Sequence, residues 1–186
     1  STAESLTANN IVLAVYRHLA NPECRQYMLR QAFEEAVHTD TFIYCCDSLG
    51  LDPDEIYTMY QTIPSIQAKD AFVVNLTKQL LDPTFEIQTI ADVQQFVRNL
   101  IGYYVIMEGM FFYAGFAMML ALKRQHKMIG IGEQFEYIMR DESVHLAFGC
   151  DVIMTIQTEY PAIWTPAFKQ EIIELVQQAV VLEAAY

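Results

Sequence analysis

The stretch Arg140-Asp141-Glu142-Ser143-Val144-His145 places a carboxylate and an imidazole three residues apart, inside a run of sequence with a long helical pattern. Three residues are nearly one helical turn, so the side chains of Glu142 and His145 leave the same face. An earlier run repeats the arrangement, because Glu35 and His38 also stand three residues apart. We therefore expect the remaining sequence to bring these two helices together around metal.

Proline and glycine divide the rest of the chain into helical segments. Pro22, Pro64 and Pro166 suit first helical positions, and Gly50 suits a left-handed helix cap. No alternating strand pattern, flexible linker or internal repeat competes with this pattern. The sequence therefore predicts an all-α fold, with residues 1–186 as one domain and helices at 1–20, 22–48, 52–62, 64–81, 89–123, 130–159 and 165–186.

The predicted helix 89–123 is strongly apolar. Residues 102–122 carry a single charged side chain, Glu108, and show no polar face. Hydropathy alone would allow a membrane span, but a carboxylate near the centre of the span is costly in lipid and is natural beside a metal. We therefore expect no membrane partner, and we expect this helix to lie at the centre of a bundle, buried on all sides from Gly102 onward.

Composition excludes some classes of function. A formal net charge of -12 leaves no basic stripe for nucleic acid or for an anionic membrane surface. The four cysteines lack C-x-x-C spacing, so we expect buried thiols in a reducing, cytoplasmic compartment. Because the chain begins at Ser1 without a signal-peptide pattern, we expect an excised or processed piece of a longer chain.

Carboxylates and imidazoles on four predicted helices form one set of candidate metal ligands. Two helices supply a single glutamate each and two supply Glu-x-x-His, as in ferritin-like di-iron and di-manganese carboxylate proteins. Such a set suits a pair of first-row metals, because carboxylates bridge two cations and each imidazole fixes one metal. The candidate ligands are Glu4, Glu35, His38, Glu108, Glu142 and His145.

Several residues share helix faces or sequence neighbourhoods with these ligands. Glu34 is expected to point away from the ligands into solvent, and His18 and His126 are expected to be structural, since neither follows an acidic residue by three positions. Asp141, Tyr44 and Tyr137 could accept a proton or carry an electron. An apolar wall that keeps water and reductants away is predicted from four residues: Phe42, Phe112, Phe116 and Ile138.

At these residues the sequence resembles the small, radical-generating beta subunit of class I ribonucleotide reductase. Residues 31–38, 108–116 and 140–145 carry the resemblance. It implies a ferritin-like helical bundle that forms a homodimer around a dinuclear metal site. The family's beta subunit uses dioxygen to make an oxidant, which travels to the large alpha subunit and starts the reduction of ribonucleotides to deoxyribonucleotides.

The resemblance also assigns roles to individual residues. The family's metal ligands fall on the six candidate residues, and its relay aspartate falls on Asp141. Its apolar pocket falls on Phe112, Phe116 and Ile138. Trp164 is not at the position of the family's relay tryptophan, which lies upstream of this sequence. The family's docking tail lies downstream, so we expect this chain to hold the cofactor site without supporting turnover by itself.

Two positions depart from the common family pattern. Phe42 stands where most members have the radical tyrosine, and Glu4 stands where many have aspartate. Phenylalanine has no phenolic proton to lose, so it cannot hold a stable neutral radical. The two departures resemble the chlamydial-type class Ic subunit, which implies a manganese/iron centre in which Mn(IV)/Fe(III) replaces the tyrosyl radical. A di-iron centre stays open, because ligand identity does not separate manganese from iron.

Three other functions remain as alternatives. An R2-like ligand-binding oxidase also assembles manganese and iron, and it holds a long-chain ligand beside them. A di-iron storage bundle would take up many irons per chain. A non-enzymatic membrane or interaction protein would be indifferent to metal.

Overall fold

Residues 14–186 are described by the computed structural model, and they form helices joined by short turns. No β-strand occurs within this range, as the sequence predicted. The predicted helix 1–20 falls mostly outside it. Short 3₁₀ turns occupy Tyr16–His18 and Pro161–Ile163. The helices are α1 (Pro22–Ser48), α2 (Pro53–Thr62), α3 (Pro64–Thr77), α4 (Ile90–Leu100), a π-helix (Ile101–Phe111), α5 (Phe112–Arg124), α6 (Ile129–Glu159) and α7 (Pro166–Ala184).

Local capping determines where α1 and α7 begin. The side chain of Asn21 accepts a hydrogen bond from the backbone N–H of Cys24 at 2.9 Å, and Pro22 follows as the first residue of α1. Gly50, just beyond the end of α1, has φ of 65°, which a residue without Cβ adopts at no steric cost. Thr165 caps α7 in the same way as Asn21 caps α1. The predicted beginnings of both helices are therefore confirmed.

Helix α3 ends at Thr77, and the prediction that it runs to residue 81 is wrong. The guanidinium of Arg17 donates to the backbone carbonyl of Leu80 at 2.9 Å and to that of Asp82 at 2.6 Å. The side chain of Leu80 is fully buried. These long-range contacts favour a turn at residues 78–81 over another turn of helix.

Three helical segments form one continuous rod from Ile90 to Arg124, where the sequence predicted a single α-helix. Thr89 and Asp92 form a reciprocal capping box at its start. The middle segment, Ile101–Phe111, is a π-helix, in which each N–H bonds to a carbonyl five residues back. Such segments are rare and often occur at functional sites, and this one carries Glu108.

Burial of the rod is uneven along its length. Most of the π-helix is buried, but Ala117, Met118 and Ala121 of α5 are exposed in this chain. The prediction of burial on all sides from Gly102 onward is therefore wrong beyond Phe111. The rod is long and apolar enough to cross a membrane by length and composition. The core helix of a soluble protein has the same composition, and residues 101–108 of the rod are mostly buried.

Close contact between the π-helix and α6 depends on small residues. A Cβ placed on Gly149 would lie 2.1 Å from Cγ of Tyr104, and one placed on Gly109 would lie 2.9 Å from Cδ1 of Leu146. The backbones can therefore approach only because these side chains are absent. The aromatic ring of Tyr104 is fully buried in this contact, within a cluster of apolar side chains that includes Leu100, Tyr103, Ile106, Val152 and Ile163.

Ion pairs link helix α7 to two other helices. Arg98 pairs with Glu171, and Lys69 pairs with Glu183 at 2.7 Å, so α4 and α3 are each linked to α7.

All four cysteines are free thiols, but only Cys45 is buried. The prediction of buried thiols is thus correct for one of them and wrong for Cys24, Cys46 and Cys150, which are partly exposed.

Candidate metal centre

Four acidic and basic side chains from three separate segments converge in the core. Glu35 from α1, Glu108 from the π-helix, and Glu142 and His145 from α6 each offer one ligand atom, and these atoms lie within 4.8 Å of one another. His38 from α1 lies beside them, with Nδ1 3.3 Å from Oε1 of Glu142. The structure therefore brings together five of the six predicted ligands. The sixth, Glu4, lies outside the described residues.

Each of two glutamates contacts both imidazoles. Glu35 lies 3.6 Å from Nδ1 of His38 through Oε2 and 3.2 Å from Nδ1 of His145 through Oε1. Glu142 makes the equivalent contacts at 3.3 and 3.2 Å. Both imidazoles thus turn Nδ1 inward, with their ring centroids 6.1 Å apart. Two nitrogen donors that share two carboxylates form the arrangement expected for a dinuclear site.

Several oxygen and nitrogen atoms at this centre lack the hydrogen bonds that buried polar groups normally make. Among the described residues, no hydrogen-bond partner exists for either carboxylate oxygen of Glu35, Nδ1 of His38, Oε2 of Glu108 or Oε1 of Glu142. Contacts of 3.2 to 3.6 Å exist between some of these atoms, but without hydrogen-bonding geometry. Burying such groups unpaired is costly, and cations would satisfy them. The donor set therefore fits a pair of metal ions.

Carboxylates also hold the outer nitrogens of both imidazoles. Nε2 of His38 lies 3.3 Å from Oδ2 of Asp141, and Nε2 of His145 donates to Oε2 of Glu34 at 2.9 Å. His38 on α1 is thereby oriented by Asp141, which precedes the ligand Glu142 on α6. His145 on α6 is oriented by Glu34, which precedes the ligand Glu35 on α1. Such contacts fix the tautomer and ring orientation of a metal ligand. The prediction that Glu34 points into solvent is wrong, because α1 and α6 face each other closely enough for it to reach His145.

Gln31 is a further residue of the centre that the sequence did not single out. Its side chain is fully buried, and its Nε2 donates to Oε1 of Glu108 at 2.9 Å. The hydroxyl of Tyr104 donates to the other end of the same amide at 3.1 Å. One signal was present in the sequence, because Gln31 stands one helical turn before Glu35 on the same face.

The charges of the centre change the pKa values of its residues. Burial alone would lower the pKa of His38, but the close, negatively charged carboxylates of Glu142 and Glu35 raise it to about 10. The same balance, with the charge of Glu108 added, raises the pKa of His145 to about 11. Burial, with the charges of Glu142 and Glu35, raises the pKa of Glu108 well above its ordinary value.

Metal binding to the metal-free protein is therefore expected to release protons. Both imidazoles are cations at pH 7, with a proton on each ring nitrogen, because their pKa values lie above it, and a metal-bound Nδ1 gives its proton up. Raising the pH toward 10 weakens this competition, so apparent affinity should rise. Calorimetric titration of the full-length protein with Mn²⁺ at pH 7, in buffers of different ionisation enthalpy, measures the release. A binding heat that does not depend on the buffer would contradict it.

Aromatic side chains that are close to the ligands in sequence pack against one another. Phe135, which the sequence analysis did not single out, packs edge-on against Phe42 at 5.4 Å and against Phe116 at 6.0 Å, measured between ring centroids. Phe112 lies 6.4 Å from Phe116. A cavity of about 270 Å³ is lined in part by these four rings. Ile138 is buried but does not line the cavity.

The remaining sequence candidates lie farther from the buried ligands. Tyr44 and Tyr137 are 71% and 57% exposed, so both phenols reach the surface of this chain. His18 packs edge-on against Phe85 and Phe96, with ring centroids 5.4 Å away in each case. His126 has φ of 60° at an exposed turn after α5. These positions agree with the prediction that His18 and His126 are structural residues.

Comparison with known proteins adds to this geometry. A sequence profile of the ribonucleotide reductase small chain matches residues 1–186. This chain belongs to the ribonucleotide reductase small-chain family. A beta subunit of ribonucleoside-diphosphate reductase from Chlamydia pneumoniae is 56% identical over all 186 residues, which cover 54% of that protein. One from Treponema pallidum is 33% identical over 138 residues, covering 73% of this chain and 37% of that protein.

Solved structures of the family share the fold. A ribonucleotide reductase R2 subunit from Clostridium botulinum superposes with a TM-score of 0.86 at 25% identity, over 97% of this chain and 55% of that one. The prediction of an all-α, ferritin-like bundle is therefore confirmed. The chain spans about half the length of the curated relative from Chlamydia pneumoniae. Small chains of this family bind a dinuclear metal centre, and the buried Glu/His cluster fits one.

Proposed function

We propose that this chain holds the metal site of a ribonucleoside-diphosphate reductase beta subunit. This oxidoreductase starts the reduction of ribonucleotides to deoxyribonucleotides in a partner alpha subunit. The observation that carries the proposal is the buried pair of Glu-x-x-His segments in which each glutamate contacts both imidazoles. When bound and treated with dioxygen, a high-valent manganese/iron pair supplies the oxidising equivalent for this reaction.

Each side chain of the site has its own role in binding that pair of metals. Glu35 and Glu142 would hold both metals, since each contacts both imidazoles, and His38 and His145 would each supply a nitrogen. On their far sides, Asp141 and Glu34 keep the imidazoles turned inward. Glu108, and Glu4 from outside the described residues, complete the proposed set of ligands. Asp141 is also the proposed proton acceptor, because its carboxylate is partly exposed while its partner His38 is buried.

A mixed manganese/iron centre is proposed over di-iron because of Phe42. Its ring packs against Phe135 beside the apolar cavity, four residues after the ligand His38. A benzyl side chain has no O–H bond to break, so the oxidising equivalent has no phenol at this position in which to reside. With both metals bound, the oxidising equivalent would then stay on them. Phe112, Phe116 and Ile138 are proposed to exclude water and reductants from that side of the centre.

Anomalous diffraction tests this proposal. Crystals of the full-length protein loaded with both metals are measured on either side of the manganese and iron absorption edges. One manganese and one iron per chain, bound by the proposed ligands, is the expected result. Iron at both positions would overturn the mixed-metal part of the proposal while leaving a di-iron beta subunit. Absence of metal at Glu35 and Glu142 would overturn the whole proposal.

One observation favours a second function, a manganese/iron ligand-binding oxidase. The cavity beside Phe42 is walled mainly by apolar rings, and the ammonium of Lys69 lies 4.5 Å from the ring centroid of Phe111 on the same wall. Such a space could hold a long-chain carboxylate. Denaturation of purified protein, extraction of bound lipid and mass spectrometry distinguish the two functions. A stoichiometric long-chain acid would favour the oxidase.

The partners of the beta subunit are part of the proposal. They are the large alpha subunit, a second copy of this chain in a homodimer, and dioxygen. Residues 1–186 are proposed to form a single ferritin-like domain. The free thiols suit a reducing compartment, in agreement with a cytoplasmic protein. Sedimentation of the full-length protein, alone and with the alpha subunit, measures both associations.

Tyr44 and Tyr137 are proposed to carry electrons between the surface and the metals. Changing either residue to phenylalanine should slow reduction of the oxidised cofactor if that residue lies on the route, because the phenolic O–H is lost. Stopped-flow absorbance of the loaded full-length protein measures the rate. Tyr160→Phe is the matched control, since Tyr160 is also exposed but stands at the far end of α6. An unchanged rate in Tyr44→Phe or Tyr137→Phe would remove that residue from the route.

A further inference from the structure

Gln31 occupies an unusual place for a neutral amide. It is fully buried on the face of α1 that also carries Glu35 and His38, and it reaches across to the π-helix. Its Nε2 donates to Oε1 of Glu108 at 2.9 Å. An uncharged side chain thus contacts a buried candidate ligand without contributing a charge or a strong metal donor of its own.

Contacts at both ends hold this amide in place. The Tyr104 hydroxyl donates to Oε1 of Gln31 at 3.1 Å, and the amide N–H₂ group faces Oε1 of Glu108. A flipped amide would place its carbonyl oxygen against the carboxylate, which accepts hydrogen bonds but does not donate them when ionised. Tyr104 itself cannot move aside easily, since its ring packs tightly over Gly149 and edge-on against Tyr103 at 4.8 Å.

The two oxygens of Glu108 are consequently not equivalent. Oε1 accepts the hydrogen bond from Gln31, whereas Oε2 has no partner with hydrogen-bonding geometry among the described residues. The phenol of Tyr103 also lies near this carboxyl and lowers its pKa, against the larger opposing effect of burial. A carboxylate can bind a metal through one oxygen or through both. A donor on one oxygen lowers its availability to a cation and limits rotation of the group about its terminal bond.

We propose that Gln31, held in place by Tyr104, is a positioning residue that holds Oε1 of Glu108 and leaves Oε2 for the metal. This inference rests on the proposed dinuclear centre, because it assigns to Gln31 a role toward a ligand of that centre. It adds a residue pair, on α1 and the π-helix, to the groups that determine how the carboxylate binds.

Three variants of the full-length protein test the proposal. Gln31→Leu removes the amide, and Tyr104→Phe removes the hydroxyl but keeps the ring over Gly149. Asn99→Leu is the matched control, because Asn99 is also a fully buried amide, but its Nδ2 donates to the backbone carbonyl of Gln95 within α4. Circular dichroism establishes that each variant is folded. Calorimetry with Mn²⁺ alone measures affinity, and crystals of the Mn²⁺-loaded proteins show which oxygens of Glu108 are bound.

The wild-type protein is expected to bind metal through Oε2 of Glu108 only. Gln31→Leu should weaken Mn²⁺ binding by about 10- to 100-fold, the usual effect of losing a group that orients a ligand, and should let Oε1 also reach the metal. Tyr104→Phe should produce a smaller loss, and Asn99→Leu none. Unchanged affinity and unchanged coordination in Gln31→Leu would overturn this inference alone. Failure of the wild-type protein to bind metal would instead overturn the proposed function.

Discussion

We expect Glu142→Gln to weaken binding at both metal positions and not at one alone. The two carboxylate oxygens of Glu142 lie 3.3 Å from Nδ1 of His38 and 3.2 Å from Nδ1 of His145, so this side chain contacts both imidazoles. The amide has the same shape but no charge, and its N–H₂ end repels a cation. We expect Mn²⁺ affinity of the full-length protein to fall by more than about 100-fold, since lost groups next to a ligand already cost about 10- to 100-fold.

Calorimetric titration and metal analysis after gel filtration measure this loss. Glu133→Gln is the matched control, because Glu133 lies on the same helix but is exposed to solvent. The near-identical shape of the two side chains should keep the metal-free variant folded, which circular dichroism checks. One metal bound at wild-type affinity in Glu142→Gln would contradict the shared role, since it would show that one position forms without this carboxylate.

Gly149→Ala is expected to destabilise the fold by about 3 kcal/mol, near the upper end for overpacked cores. The added Cβ would lie 2.1 Å from Cγ and 2.3 Å from Cβ of Tyr104. A Cβ atom cannot rotate away as the end of a flexible side chain can, so the π-helix or α6 must shift. Urea unfolding of the full-length protein, at constant slope, measures the loss of stability.

Gly130→Ala serves as the control for this change. A Cβ on Gly130 would meet no atom within 4 Å, and alanine is favoured over glycine in helices by up to about 1 kcal/mol. We expect a neutral or slightly stabilising effect there. Equal urea midpoints for the two variants would show that the contact between the π-helix and α6 tolerates a methyl group. The same shift of Tyr104 should also disturb its hydrogen bond to Gln31.

Spacing along the chain was enough to find most of the candidate centre. Glu35 with His38 and Glu142 with His145 could be recognised because three residues nearly complete a helical turn, which is a local property. Glu108 could be recognised because it is the only charge in an otherwise apolar segment. The ends of α1 and the start of α7 followed from Pro22, Gly50 and Pro166, whose conformational preferences also involve only neighbouring residues.

Features that depend on contacts between residues distant in sequence could not be predicted from the sequence. Glu34 has the composition of a solvated residue until α6 places His145 2.9 Å from it. Gln31 gains its role from Glu108 and Tyr104, which stand more than seventy residues later. The early end of α3 depends on Arg17, and the exposure of Met118 depends on which helices reach α5.

The sequence by itself determined the positions of most helices and the candidate metal ligands, because periodicity and local hydrogen bonding act within a few turns. Only the tertiary structure decided that Ile101–Phe111 is a π-helix, that both imidazoles face the same two carboxylates, and that Gln31 holds Glu108. Each of these results depends on how closely α1, the π-helix and α6 approach one another. That approach is determined by packing at residues such as Gly149 and Tyr104, which no local pattern encodes.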